Sequence, residues 1–190
     1  GNLDRASPLI EQAVKATPGN SEAYYYLGLM RDEQGDRARA THAFVRARAL
    51  DLEAPVPEWS LSLDAFEHTV RRVVETLPPH LRQIVRTDEI YVADMPGIEF
   101  VIDGVDPRAL ILLDDISPNA LSGGSMPPGS LSSGSSLHGG SILDVPTARL
   151  FVYQRNLERL AGALESVETE LHAALERELS CFTHGPHRFG

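Results

Sequence analysis

The sequence lacks several features that would point to a cellular location or ligand. Its single cysteine cannot form an internal disulfide, which favours a reducing compartment. No apolar run approaches the ~20 residues that span a bilayer, and no basic segment followed by an apolar one opens the chain, so no signal peptide is predicted. The net charge of -10 argues against nonspecific nucleic-acid binding and against an anionic membrane surface.

The composition is otherwise that of an ordinary soluble globular protein. Hydrophobic residues make up 42% of the chain and charged residues 23%. A length of 190 residues allows one domain with a small appendage, or two small domains.

Residues 21–52 carry the pattern of two closely packed antiparallel helices around a turn at Gly35-Asp36. The small residues Gly28 and Ala40 allow the helices to approach closely, and Tyr24, Leu27 and Phe44 fill the space between them. Ala47 follows on the second helix. This segment resembles a tetratricopeptide repeat. Shifting it back by the period of about 34 residues places Ala6, Ile10 and Ala13 on a preceding helix. Residues 1–53 are therefore expected to form repeat helices, with the first repeat incomplete.

The chain would then begin inside a repeat, as a fragment of a longer protein or as a chain that has lost its cap. Such repeats bury their faces by stacking, so these helices should lean on another part of the protein. The alternative is a plain helical hairpin. The repeat implies an interaction surface for a protein or peptide partner, or a spacer.

Residues 54–60 are expected to form a linker, because Pro55 and Pro57 cannot continue a helix. Residues 61–190 are expected to form an α+β domain. It opens with a helix that has Ser62 as N-cap and an apolar face of Leu63, Phe66, Val70, Val73 and Leu77.

Three strands are predicted at residues 89–93, 109–113 and 148–153. The apolar run from Ile111 to Leu113 indicates a strand covered on both faces. The order of elements predicts a small sheet packed on the terminal helices. Residues 117–141, rich in Gly and Ser, are expected to be a flexible insertion, with a substrate-covering flap as the alternative.

The last helix, predicted from Glu165 to Cys181, places a carboxylate on its buried face. The stripe of Leu164, Val167, Leu171, Ala174 and Leu175 continues at helical spacing onto Glu178. A buried carboxylate is costly unless it has a partner or a chemical task. Residues 148–161 resemble the strand and helix that precede the zinc helix of the minimal zincin-like metallopeptidases. The helix that ends at Leu77-Pro78 resembles the opening of the same family.

In that family a His-Glu-x-x-His motif follows, in which two histidines hold zinc and the glutamate is the general base. At this place the chain has Arg177-Glu178-Leu179-Ser180-Cys181. Arginine cannot ligate zinc, and Arg177 is expected to pair with Glu178 or with another carboxylate. Cys181, His184 and His187 are the candidate metal ligands. Three alternatives remain open: a structural helix end, a noncatalytic metal site and a working peptidase.

The sequence thus predicts an α+β protein with an amino-terminal tetratricopeptide hairpin and a zincin-like domain. The expected role is a cytoplasmic interaction or regulatory module whose peptidase site has decayed, without a cofactor. The alternative is an active zinc-dependent metallopeptidase, with Glu178 as general base and atypical ligands. A structural domain unrelated to peptidases is the third possibility.

Overall fold

The computed structural model describes residues 2–116 and 147–184, which form eight α-helices and one small sheet. Three helices come first: α1 (Asn2–Ala16), α2 (Ser21–Glu33) and α3 (Arg37–Glu53). Asn20 Oδ1 accepts a hydrogen bond from the Ala23 amide at the start of α2, and Asp36 Oδ1 accepts one from the Arg39 amide at the start of α3. The predicted helical hairpin is confirmed, whereas its assignment to the tetratricopeptide family stays a prediction.

Helices α2 and α3 approach closely where the sequence places small residues. Gly28 is buried, and a Cβ atom built on it would lie 2.4 Å from Cδ1 and from Cε1 of Phe44. On α3, Ala40 and Ala47 are also buried. A residue without a side chain is therefore needed at position 28 for the Phe44 ring to fit.

The rest of the described chain combines helices with three strands. Helix α4 (Leu63–Thr76) starts at the predicted N-cap, where the Ser62 hydroxyl accepts a hydrogen bond from the Ala65 amide. The elements that follow are α5 (Pro79–Arg82), β1 (Val85–Ala93), α6 (Ile98–Ile102), β2 (Ile111–Asp115), β3 (Ala148–Tyr153), α7 (Gln154–Ala161), a 3-10 turn (Leu164–Ser166) and α8 (Val167–His184). None of the described helices is both long enough and apolar enough to cross a bilayer.

The strands are ordered β1-β3-β2, so β3 lies in the centre, parallel to β1 and antiparallel to β2. The bounds predicted for β3 are confirmed, while β1 begins earlier and β2 lies two residues later than expected. The prediction that Ile111–Leu113 is covered on both faces is confirmed only in part, because Ile111 alone is buried. Among the described strands β2 pairs with β3 alone, and Leu112 and Leu113 are only partly buried.

The core lies between one face of the sheet and helices α4 and α8. Leu150 and Val152 of β3 are fully buried there, as are Phe66 and Val70 of α4. The prediction for Leu63 is wrong, because this first residue of α4 lies outside the buried cluster and is 50% exposed. The predicted α+β class is confirmed at this level, and the zincin-like assignment stays a prediction.

Candidate functional site

Helix α8 holds the positions at which the sequence predicts a degenerate zinc motif. The apolar stripe is buried from Val167 to Leu175 and continues onto Leu179, which is 0% exposed. Leu164 precedes the helix and is 44% exposed. The Glu178 side chain retains 42% of its accessible surface. The prediction that Glu178 lies on the buried face is therefore wrong, because its apolar neighbour Leu179 takes the core position at the same helical spacing.

Arg177 and Glu178 form an ion pair at the solvent-exposed edge of α8. Arg177 Nε donates a hydrogen bond to Glu178 Oε1 at 3.1 Å. The Arg177 side chain is 59% exposed. The predicted pairing of these residues is confirmed, although it forms in solvent and not in the core. The exposed pair adds little stability, since such pairs contribute about 0–1 kcal/mol.

The other candidate ligands lie at or beyond the end of α8. Cys181 is an exposed free thiol, and its spacing of four residues from Arg177 places both on one face of the helix. His184 is the last residue of α8. His187 and the insertion predicted at residues 117–141 lie outside the described residues.

The described side chains at the motif positions do not fit a zinc ion. A tetrahedral zinc site needs several thiolate, imidazole or carboxylate ligands, and the guanidinium of Arg177 has no electron pair to donate and carries a positive charge. Within residues 2–116 and 147–184, no group of three His, Cys, Asp or Glu side chains could hold a metal ion. A site that includes the side chain of His184 or of His187 is not tested by this finding.

A second cluster, which the sequence analysis missed, joins the helical hairpin to the α+β part. Asp51, near the end of α3, has a side chain that is only 3% exposed. Its Oδ2 accepts hydrogen bonds from Arg108 Nε at 3.0 Å and from Arg159 Nη1 at 2.9 Å. Burial alone would raise the pKa of the Asp51 carboxyl, but hydrogen bonds from Ser21, Arg159 and Arg108 outweigh burial and lower that pKa below its usual range. The ionised carboxylate therefore connects α3 with α7 and with the loop before β2.

Arg108 also connects this loop with α2. Its guanidinium lies 4.3 Å from the centre of the Tyr25 ring, and its Nη1 lies 2.7 Å from Glu22 Oε1. The Tyr25 hydroxyl donates a hydrogen bond to Asp106 Oδ2 at 2.9 Å. Burial, followed by this hydrogen bond, raises the pKa of Tyr25 to about 12. The expectation that the amino-terminal helices lean on another part of the protein is confirmed by these contacts.

Helix α7 buries a carboxylate that holds the end of the linker. Glu158 is 2% exposed. It accepts hydrogen bonds from Ser60 Oγ at 2.8 Å, from the Leu61 amide at 3.1 Å and from Gln154 Nε2 at 2.8 Å. Gln154 Nε2 also donates to the Leu61 carbonyl at 2.7 Å. The three contacts with Ser60 and Leu61 fix the chain just before α4 against α7.

A signal for Asp51 was present in the sequence, whereas none pointed to Glu158. Asp51 follows Ala47 by four residues on the face of α3 that Ala40 and Ala47 bury against α2. Asp51 is therefore a carboxylate on a buried helix face that needs a partner, as was expected of Glu178. The donors around Glu158 come from an irregular segment and from α7 itself, so no periodicity marks them.

Comparisons of the chain with protein-family models, with curated proteins and with solved structures find no match. The resemblances to the tetratricopeptide and zincin-like families therefore rest on the residues quoted above. Functional conclusions must come from the chemistry of the described side chains.

Proposed function

We propose that the protein is an interaction or regulatory module, in which a tetratricopeptide-type hairpin is joined to a zincin-like domain whose peptidase site has degenerated. The observation that carries the proposal is the ion pair between Arg177 and Glu178. It occupies the positions at which that family places a metal ligand and its general base. An arginine there repels a cation and competes with bound water for the carboxylate.

The hairpin supports the interaction half of the proposal. Its contacts with the α+β part use Asp51, Glu22 and Tyr25, which leaves other faces open to solvent. Tyr26 and Leu29 of α2 are 54% and 39% exposed. Large apolar side chains that are exposed on a docked helical element are typical of a surface that binds another protein.

The order of elements supports the zincin-like half. The strand and helix expected before the motif helix correspond to β3 and α7, and α8 then packs on the sheet. The motif positions of α8 therefore face solvent from a helix that the core holds in place. A domain of this kind can lose its ligands and still keep its fold, because Arg177, Glu178 and Cys181 contribute little to the core.

One observation favours the alternative of an active metallopeptidase. Strand β2 contacts α8, and among the described residues it pairs only with β3. No other described strand pairs with its second side, so this alternative would place an extended peptide there, close to the motif helix. Zinc bound through Cys181 and residues beyond α8 would be required for chemistry there.

The interaction role is tested by selecting binders from a random peptide library on the immobilised full chain. The same selection is run on two alanine variants with equally exposed substitutions. The hairpin variant carries Tyr26→Ala, Leu29→Ala, Arg39→Ala and Arg46→Ala, and the control variant carries Leu63→Ala, Leu160→Ala, Arg82→Ala and Arg86→Ala. We expect peptides that bind the wild type and the control variant but bind the hairpin variant at least about tenfold more weakly.

Peptides that bind all three proteins equally, or a selection that enriches none, would contradict the proposal that the hairpin is the interaction surface. Far-UV circular dichroism and thermal unfolding of each variant establish that the substitutions leave the fold intact. A zinc-dependent cleavage of the selected peptides that is lost with Glu178→Gln would establish the alternative instead.

A further inference from the structure

Helix α3 carries a concentration of positive charge that contrasts with the rest of the chain. The helix contains four arginines and two acidic residues, Asp51 and Glu53, both of which lie in its last turn, whereas the whole chain has a net charge of -10. Arg48 Nε donates to the Pro96 carbonyl, and Arg37, although exposed, lies beside Gly104. The other two, Arg39 and Arg46, are exposed.

Arg39, His42 and Arg46 lie on one side of α3, because their spacing of three and four residues brings them to the same helix face. We call these three residues the arginine face. The Arg39 side chain is 73% exposed, and its Nη1 lies 3.2 Å from Asp36 Oδ2 at the amino end of the helix. The Arg46 guanidinium lies 5.9 Å from the centre of the Tyr24 ring, which directs it along the seam between α2 and α3.

Apolar side chains accompany the arginine face. Val45 and Ala49 are partly exposed, and Leu52 in the last turn is 37% exposed. Val45, Ala49 and Leu52 are spaced by four and three residues, so they form a row along the helix. This apolar row runs beside the arginine face. A partner that covers both rows must combine carboxylates with apolar side chains.

We infer that the arginine face and this apolar row bind an acidic, amphipathic helical segment of a partner protein. Charge complementarity argues for the carboxylates, because two arginines and a histidine are exposed together on a protein that is otherwise strongly acidic. The apolar row favours a partner whose acidic residues alternate with apolar side chains, which a nucleic-acid backbone does not present. The inference rests on the proposed function and names the class of partner for the hairpin.

The probe is a fluorescein-labelled peptide of about 20 residues built on the repeat Glu-Ile-Ala-Ala-Leu-Glu-Glu. A matched peptide has Gln in place of every Glu, and a single-stranded RNA of similar length supplies a polyanion without apolar side chains. Binding to the full chain is measured by fluorescence anisotropy at low salt. We expect the acidic peptide to bind at least about tenfold more tightly than the Gln peptide and the RNA.

Charge reversal then locates the site. Arg39→Glu with Arg46→Glu should weaken binding of the acidic peptide at least about tenfold, since two attractions become repulsions. Arg82→Glu with Arg86→Glu makes the same charge change on exposed arginines of the α+β part and should change binding less than about twofold. Arg39→Lys with Arg46→Lys keeps the charge and should retain most of the affinity.

Equal binding of the acidic and Gln peptides, or equal effects of the two charge reversals, would overturn the inference. RNA binding that matches the acidic peptide would also overturn it, as would a concentration-dependent dimer that forms through the arginine face. The proposed function fails separately, in the library selection, if no peptide depends on the hairpin. Hairpin-dependent peptides without acidic residues would leave that function standing and would refute the acidic partner alone.

Discussion

Gly28→Ala should destabilise the protein, although alanine is the better helix former. A Cβ atom at this position would lie 2.4 Å from two carbons of the Phe44 ring, far inside van der Waals contact. Overpacking of this kind costs about 1–3 kcal/mol. The gain from replacing glycine within a helix is about 1 kcal/mol. The overpacking cost should lie in the upper part of its range, at about 2–3 kcal/mol, because Phe44 also packs against Tyr25, with ring centres 5.9 Å apart, and cannot withdraw freely. The net destabilisation is then about 1–2 kcal/mol.

The assay is urea denaturation of the full chain followed by far-UV circular dichroism, with thermal unfolding as a second measure. The expected loss corresponds to a decrease in Tm of about 2–8 °C for a chain of this size. Gly19→Ala is the matched control, because no atom lies within 4 Å of a Cβ atom built there and no positive φ requires glycine. It should change the unfolding free energy by less than about 1 kcal/mol, in the stabilising direction.

A double-mutant cycle identifies the cause. Phe44→Leu alone should be destabilising, but in the Gly28→Ala background it should cost about 1 kcal/mol less, since the smaller side chain relieves the clash. If Gly28→Ala is as stable as the wild type, or if the two substitutions are additive, the helices do not approach as described and the argument from the sequence pattern is refuted.

Three further predictions concern the buried carboxylates and the motif positions. Asp51→Asn should cost about 2–3 kcal/mol at neutral pH by urea denaturation. The pKa of Asp51 is lowered in the folded protein, so the difference in unfolding free energy between the wild type and Asp51→Asn should be constant above the unfolded carboxyl pKa of about 4. The difference should shrink as the pH falls below that value. A difference that does not change with pH would contradict an ionised Asp51 in the folded protein. Glu158→Ala removes the acceptor of Ser60 Oγ and of the Leu61 amide and one of the two acceptors of Gln154 Nε2, and it should cost about 2–4 kcal/mol. Glu168→Ala, at a 54% exposed side chain, should cost less than about 0.5 kcal/mol, and equal effects would refute the role given to Glu158. Arg177→His with Cys181→His should gain zinc affinity in a dye-competition titration, because two imidazoles then lie one turn apart on an exposed helix face; unchanged affinity would refute the zincin-like alignment.

Local features of the fold could be predicted from the sequence, because their causes lie within a few residues. Ser62 caps α4 through its own hydroxyl, and the prolines after Leu77 prevent the helix from continuing. The turn at Gly35 follows in the same way, since its φ of 78° is accessible to glycine at little cost. These elements needed no knowledge of the tertiary structure.

Features that depend on distant residues could not be predicted. The place of β2 beside β3 in the described sheet follows from strand order, which the apolar run at Ile111 does not encode. Asp51 is held by Arg108 and Arg159, which are 57 and 108 residues away in the sequence. The error at Glu178 has a different origin, because positions 178 and 179 both satisfy the helical spacing, and the desolvation cost of a carboxylate decides in favour of Leu179.

The central claim, that the peptidase site has degenerated, is tested most directly by the metal content of the purified full chain. The protein is dialysed against a weak chelator and analysed by plasma mass spectrometry. We expect zinc far below one equivalent, because the proposed alignment places Arg177 at a ligand position and Arg177 is paired with Glu178. About one zinc per chain that is lost with Cys181→Ala would contradict it and would establish a metal centre at the end of α8.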